Sequence, residues 1–204
     1  MSYQNFIAEA LRATPIADPL AWAAFAGIGL AVRRSILALL LVALVLLSPL
    51  AGIGRMTATG QALQLLAALF LAGPAMAAAR PLAGRIWPWS PILILPVLHL
   101  PRLAEMAWFH APALPAALAL IAAWGFWSSP PRASRLIALG AVLSAIGCGL
   151  ILAGDILYPH HIEGAAIRGL PVMLDQRLAG LVLGMGAGLP LLIVGALLLR
   201  HPQD

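Results

Sequence analysis

Seven apolar runs, separated by short polar stretches, dominate the sequence. They lie at about 19–32, 35–53, 61–79, 88–108, 112–128, 135–157 and 176–199. Most of these runs approach the roughly 20 residues that an α-helix needs to cross a bilayer. The pattern predicts an all-α fold, a polytopic transmembrane helical bundle of seven spans. A polar N-terminal segment at 1–18 precedes this single domain at 19–199, and a short tail at 200–204 follows it.

The pair Arg33 and Arg34 divides the first two runs. A single helix from Pro19 to Leu50 would be about 48 Å long. That exceeds a hydrocarbon core of roughly 30 Å and would place both guanidinium groups at mid-depth, where charge is costly. We therefore predict two antiparallel helices joined by a tight turn at 32–35, the first of them short.

Composition supports a membrane location and excludes several classes of protein. Of the 204 residues, 62% are hydrophobic and 9% are charged, whereas soluble domains are about 25% charged. All twelve basic residues are arginine, so a retinal Schiff base, which needs a lysine amine, is excluded. Cys148 is the one cysteine, which excludes a CxxC pair, an internal disulfide and a two-thiolate metal site. The scattered arginines are typical of membrane topology and not of a nucleic-acid surface.

The distribution of arginine predicts the orientation of the bundle. With seven spans and the N-terminus outside, the inner segments hold seven arginines and the outer segments four, since Arg102 falls within a span. Arginine is enriched on the cytoplasmic side of membrane proteins, which favours N-out and C-in. The first eighteen residues lack the pattern of a cleaved signal peptide, so we expect the first span to anchor the chain.

The fourth run holds the richest set of ionisable residues at membrane depth, where such groups are functional candidates by default. If the helix continues through its prolines, His99, Met106 and His110 share one face. Imidazole and thioether ligands suit copper, and two histidines suit haem. The alternative is a kinked helix in which His99 bonds a carbonyl freed by Pro101 and His110 extends to the interface.

Two further charged sites have local structural explanations, one in the fourth run and one just before the last run. Arg102 and Glu105 are three residues apart and can form an ion pair, which offsets the cost of either charge alone. Asp175, beside Gln176 and just before the last apolar run, is expected to be a helix N-cap.

The loop between the last two spans holds a second polar set. It comprises Asp155, Tyr158, His160, His161, Glu163, Arg168, Asp175, Gln176 and Arg177. Adjacent histidines point in different directions on a regular element, so His160 and His161 would share one ion only if the loop folds around it. The alternative is a solvated loop with an interfacial tyrosine.

The sequence contains a motif for helix packing but none of the common catalytic motifs. Gly180, Gly184 and Gly188 recur at four-residue steps and form a face for close helix packing, either within the chain or against a partner. The sequence has no HExxH, GxSxG or Walker A motif, so it supports neither a hydrolase nor an ATPase, and we expect no enzymatic activity.

Several short motifs follow one another in a defined order. They are Leu47-Ser48-Pro49-Leu50, Ala72-Gly73-Pro74, Arg80-Pro81, His99-Leu100-Pro101, Trp124-Gly125-Phe126-Trp127 and Leu157-Tyr158-Pro159. The most specific is the stretch DQRLAGL at 175–181. From about Asp18 to Leu199, their order and spacing resemble the multi-spanning cytochrome c oxidase assembly factors of the CtaG type.

The resemblance implies a non-enzymatic protein of the bacterial cytoplasmic membrane that assists maturation of a haem–copper oxidase at its external copper centre. Copper is then the candidate ion, and oxidase subunits and the lipid bilayer are the candidate partners. His99, His110, Asp175 and Gln176 are the candidate residues near the outer face.

The chain also departs from that family. The third span begins with Gly60-Gln61 where the family has histidines, and Arg177 replaces a family glutamine. The missing histidines favour an alternative function, a metal-free accessory subunit of a respiratory or photosynthetic complex. A small transporter with Arg102 and Glu105 on a polar path is a third class, for which the sequence defines no substrate.

Overall fold

The computed structural model describes Ala8 and residues 18–82, 84, 87–130 and 132–200, and every regular element in these residues is a helix. The rest of the predicted N-terminal segment, Arg85 and the tail after Arg200 lie outside the described residues. The helices are α1 (Pro19–Val32), α2 (Ile36–Met56), α3 (Ala58–Ala79), α4 (Trp87–Leu98), α5 (Pro101–His110), α6 (Leu114–Trp127), α7 (Ala133–Leu152), α8 (Ile162–Arg168) and α9 (Val172–Arg200).

Four of these helices, α2, α3, α7 and α9, are long and apolar enough to cross a membrane. The helices α1, α4 and α6 are apolar but shorter. A bundle with this many apolar helices is a membrane protein, as the composition predicted.

The turn predicted between the first two helices is present. Asp18 is the N-cap of α1, and its carboxylate accepts a hydrogen bond from the Leu20 amide at 2.9 Å. Ser35 is the N-cap of α2, and its own amide donates to the Val32 carbonyl at 2.9 Å, which closes the turn. Asp18 thus caps the N-terminus of α1, and Ser35 caps that of α2, so that some of the free amides at each helix start have an acceptor.

The run at 88–108, predicted as one span, is two helices. Helix α4 ends before His99, and α5 begins at Pro101. A proline ring forces the preceding residue out of the helical region, and Leu100 accordingly has ψ 120°. The condition for His99, Met106 and His110 to share one helical face, a helix that continues through its prolines, is not met, because a break separates His99 from the other two.

Two other boundaries differ from the prediction because loop-forming residues shift them. Helix α7 ends at Leu152, since Gly154 and Asp155 break the run that was expected to reach 157. Helix α9 begins at Val172, immediately after Pro171, and not at 176. The loop between these helices contains a short 3-10 turn at Pro159–His161 and the helix α8.

The glycine ladder of α9 packs against α7 within the chain. A methyl group added at Gly180 would lie 2.5 Å from the Gly147 carbonyl oxygen, and one added at Gly147 would lie 2.5 Å from that of Gly180. Further along, Gly188 packs against Ser144. Of the two predicted uses of this ladder, the described contacts therefore show intramolecular packing.

The bundle has two chemically distinct ends. One, the histidine end, carries His99, His160 and His161 together with the start of α3. The opposite one, the arginine end, carries Arg33 and Arg34 in the α1–α2 turn and Arg80 after α3. Seven of the described helices run alternately from one end to the other, as contacts between their ends show: α1, α2, α3, α4, α6, α7 and α9.

Candidate functional site

A cavity of about 50 Å³ lies at the histidine end between α2, α3, α5, α6 and the loop after α7. Its polar lining consists of Arg55, Gln61, Gln64, His99, His160 and His161. A space of this size is large enough for a small ion or a few water molecules. The cavity therefore brings together histidines that are more than fifty residues apart in the sequence.

His99 is held at the end of α4 by its own helix. Its Nδ1–H donates to the Leu95 carbonyl oxygen at 2.8 Å. Because a carbonyl can only accept, the ring proton is on Nδ1 and the lone pair is on Nε2. Metal-bound histidines usually have this arrangement, with one nitrogen donating to a carbonyl or a carboxylate.

The loop after α7 folds so that its two adjacent histidines come together. In the 3-10 turn, the ring centroids of His160 and His161 are 4.1 Å apart, and both rings line the cavity. Nδ1 of His160 donates to a carboxylate oxygen of Glu105 at 2.7 Å, and Nε2 of His161 donates to Oε1 of Gln61 at 3.1 Å. The loop therefore brings both imidazoles to the cavity, where each is bound to a different helix; that the two share one ion stays a prediction.

Burial determines the protonation states of this loop. The His161 side chain is buried, and burial, with a smaller contribution from His160, lowers the pKa of His161 to about 3. Burial also raises the pKa of Tyr158 above its usual value. Tyr158 therefore keeps its proton and donates to the His99 carbonyl oxygen at 3.1 Å, while His161 stays neutral at neutral pH.

Asp175 does not cap its own helix, because α9 begins at Val172 and Asp175 lies in the first turn. It is buried, and its carboxylate accepts from the Ala58 amide at 2.7 Å and from the Thr59 hydroxyl at 2.6 Å. The amides at the start of α3 have no partner within their helix, and the positive end of the helix dipole attracts a carboxylate. Asp175 thus caps α3 from another helix, with Nη1 of Arg168 at 3.8 Å from its Oδ1.

Gln176 attaches the loop to α9. Its Oε1 accepts from the Leu157 amide at 2.8 Å, and its Nε2 donates to the Leu150 and Asp155 carbonyl oxygens, each at 3.3 Å. Neither Asp175 nor Gln176 lines the cavity. These two residues of the DQRLAGL stretch therefore position the elements that carry the histidines.

Several predicted site residues lie elsewhere. Met106 is 60% exposed, His110 is also exposed, and neither lines the cavity. Glu105 binds His160 and not Arg102, whose side chain is exposed, so the predicted ion pair is replaced by a contact across the bundle. Within the described part of the chain, no three His, Cys, Asp or Glu side chains are grouped closely enough to hold a metal ion.

The sequence analysis missed three polar residues of this region. Gln64 lines the cavity and donates to the Val45 carbonyl oxygen at 2.7 Å. Arg55 also lines it, and its guanidinium group binds the Asp18 carboxylate. Gln61 was noted only as a replacement for a histidine, although two glutamines three residues apart at the start of an apolar run could have indicated a polar helix face.

Comparison with known proteins adds no relative to this description. No protein-family model matches the chain, and no curated protein and no solved structure is significantly similar to it. The fold and the cavity of the described residues define the class of this protein: it is a helical membrane protein with a histidine-lined cavity at one end of its bundle. The resemblance to oxidase assembly factors stays a prediction.

Proposed function

We propose that this protein is a non-enzymatic, multi-pass membrane protein that binds copper transiently during assembly of a haem–copper oxidase. The observation that carries this proposal is the histidine-lined cavity. His99 and His160 direct their Nδ1 protons onto the Leu95 carbonyl and the Glu105 carboxylate, which puts the lone pair of each ring on Nε2. Imidazole nitrogens suit copper. The oxidase as partner follows from the resemblance of the motifs.

The charge around the cavity is compatible with a bound cation. Arg55 is the cationic group in its lining, and the Asp18 carboxylate neutralises it. Glu105 adds a carboxylate behind His160, and its contact with Nδ1 fixes the orientation of that ring. A site with few imidazole ligands binds less tightly than a complete coordination set, and weak binding suits an ion that must be handed on.

We further propose that the bundle crosses the cytoplasmic membrane seven times, with the N-terminus outside. The alternating directions of the seven apolar helices support this topology. The arginine end would then face the cytoplasm, in agreement with the positive-inside rule. The histidine cavity would face outward, where an externally exposed copper centre is assembled.

Copper binding by the purified protein tests the proposal. The protein in mild detergent is loaded with copper, and bound metal and co-purifying subunits are quantified. Replacing His99 and His160 together by alanine is expected to abolish bound copper, whereas His110→Ala is the matched control, because His110 is exposed and outside the cavity. Equal copper in both variants would contradict the proposal.

A milder variant keeps the test valid if the double replacement does not fold. Glu105→Gln retains the shape of the side chain but removes the charge that fixes His160. Loss of such an outer partner weakens metal binding about 10- to 100-fold. Unchanged copper affinity in Glu105→Gln would show that His160 is not a ligand.

A metal-free accessory subunit is the second candidate. It is favoured by the lack, among the described residues, of three ligand side chains grouped for a metal ion. Purification as a stoichiometric complex that contains other subunits and no copper would support this function and exclude the first.

A further inference from the structure

The arginine end holds a second, larger cavity of about 570 Å³, between the α1–α2 turn and the end of α3. It is lined by Leu30, Ala31, Arg33, Arg34, Ala79 and Arg80. All three arginine side chains are exposed. Within the described ranges, the ion pairs involve other residues, namely Arg55, His160 and Arg168 with their acidic partners. The cavity therefore concentrates positive charge that no described carboxylate balances.

Helix dipoles account for only part of this charge. Arg33 follows the C-terminus of α1, and Arg80 follows that of α3, where a cation is favourable. Arg34, however, immediately precedes Ser35, the N-cap of α2. A cation beside the positive end of a helix is unfavourable unless an anion is also present. An anion bound in this cavity would therefore offset the unfavourable position of Arg34.

An apolar cavity of about 400 Å³ lies beside the same helix, α1. Its lining includes Gly27 and Ile28 of α1 and Trp124 of α6. Gly27 lies four residues before Ala31, which places the two on one face of α1 and about 6 Å apart along its axis. A methyl group added at Gly27 would meet no atom within 4 Å. An apolar space therefore lies about one helical turn deeper than the arginine-lined space.

We propose that the two cavities together bind an anionic phospholipid. Its phosphate lies among Arg33, Arg34 and Arg80, and an acyl chain lies beside Gly27. The planar fork of the guanidinium group matches phosphate oxygens in a bidentate manner, and basic pockets between transmembrane helices commonly hold anionic headgroups. A free phosphate would use the arginines but leave the apolar cavity empty. This inference does not depend on copper binding at the other end.

Lipid retention by the purified protein tests this site. Native mass spectrometry in detergent measures binding of phosphatidylglycerol, of phosphatidylcholine and of inorganic phosphate. We expect phosphatidylglycerol to bind most tightly. Replacing the three arginines by glutamine is expected to weaken it about a hundredfold, at about fivefold for each charge. Arg200→Gln, an exposed arginine outside the cavity, is the control and should bind like the wild type.

A second pair of variants separates a lipid from a free phosphate. Gly27→Leu fills the apolar cavity and is expected to weaken phosphatidylglycerol binding, whereas Gly149→Leu, also at an open position, should not change it. If the triple variant does not fold, Arg80→Gln alone should still show the fivefold loss, about the value of one charge. Wild-type retention of phosphatidylglycerol in the arginine variants would overturn the proposal. So would equal binding of phosphatidylcholine, or inorganic phosphate that competes fully with the lipid.

Discussion

The two ends of this bundle use charged side chains in opposite ways. At the histidine end, three carboxylates are engaged inside the protein: Asp18 with Arg55, Glu105 with His160, and Asp175 with the start of α3. At the arginine end, Arg33, Arg34 and Arg80 are exposed around a wide cavity. At the histidine end these three carboxylates are thus used within the protein, where they hold an arginine, an imidazole and a helix start. The three arginines around the other cavity have no acidic partner among the described residues, which is why we propose an anionic ligand there.

The largest effect on the histidine end is expected from Asp175→Ala. This change leaves the amides of Ala58 and Thr59 buried without their acceptor and removes a charge from the end of the α3 dipole. We expect the free energy of unfolding to fall by about 3 kcal/mol, measured by denaturant or SDS unfolding in detergent micelles. Asp155→Asn, at an exposed side chain, is the control and should change little. A stable Asp175→Ala variant would mean that the histidine end is not held together by this carboxylate.

The contrast in packing between the two ends can be tested with glycines. A methyl group added at Gly164 of α8 would collide with the backbone carbonyl of Met56, whereas one added at Gly27 meets open space. Gly164→Ala is therefore expected to lower the unfolding free energy by about 2 kcal/mol, and Gly27→Ala to raise it by about 0.5–1 kcal/mol, because alanine favours the helix. Thermal unfolding of the two variants compares them directly. Equal unfolding midpoints for Gly164→Ala and Gly27→Ala would contradict the proposed difference in packing between the two ends.

At mildly acidic pH, within about one unit below 6.5, a smaller effect of up to about 1.4 kcal/mol is expected from His161 at the histidine end. The pKa of His161 is about 3 in the folded protein, while an unfolded histidine titrates near 6.5. Between these values the unfolded state binds the additional proton, so stability falls as pH is lowered below about 6.5, by up to about 1.4 kcal/mol for each pH unit. His161→Gln should flatten this dependence of the unfolding midpoint, and His110→Gln, at an exposed position, should not. The same steepness in all three proteins would place the titrating group elsewhere.

Local features of the fold could be predicted from the sequence. The cost of burying Arg33 and Arg34 requires a turn between α1 and α2, and that turn is present. The apolar runs locate the helices, with shifts of a few residues at their ends. The break at Pro101 follows from proline geometry, although the predicted span ran through it.

Contacts across the bundle could not be predicted. Asp175 caps a helix that begins 117 residues earlier, and Glu105 binds His160, 55 residues away, in preference to the nearby Arg102. Local spacing favours partners on the same helix. Whether a charged side chain binds a near or a distant partner depends on which helices pack together. The hydrophobic pattern of the sequence does not reveal that packing.

The most direct test of the central claim is electron paramagnetic resonance of the protein loaded with Cu(II). We predict hyperfine structure from at least two imidazole nitrogens, reduced in His99→Ala and in His160→Ala and unchanged in His110→Ala. A spectrum without imidazole coupling, or one that changes only when His110 is replaced, would contradict the account.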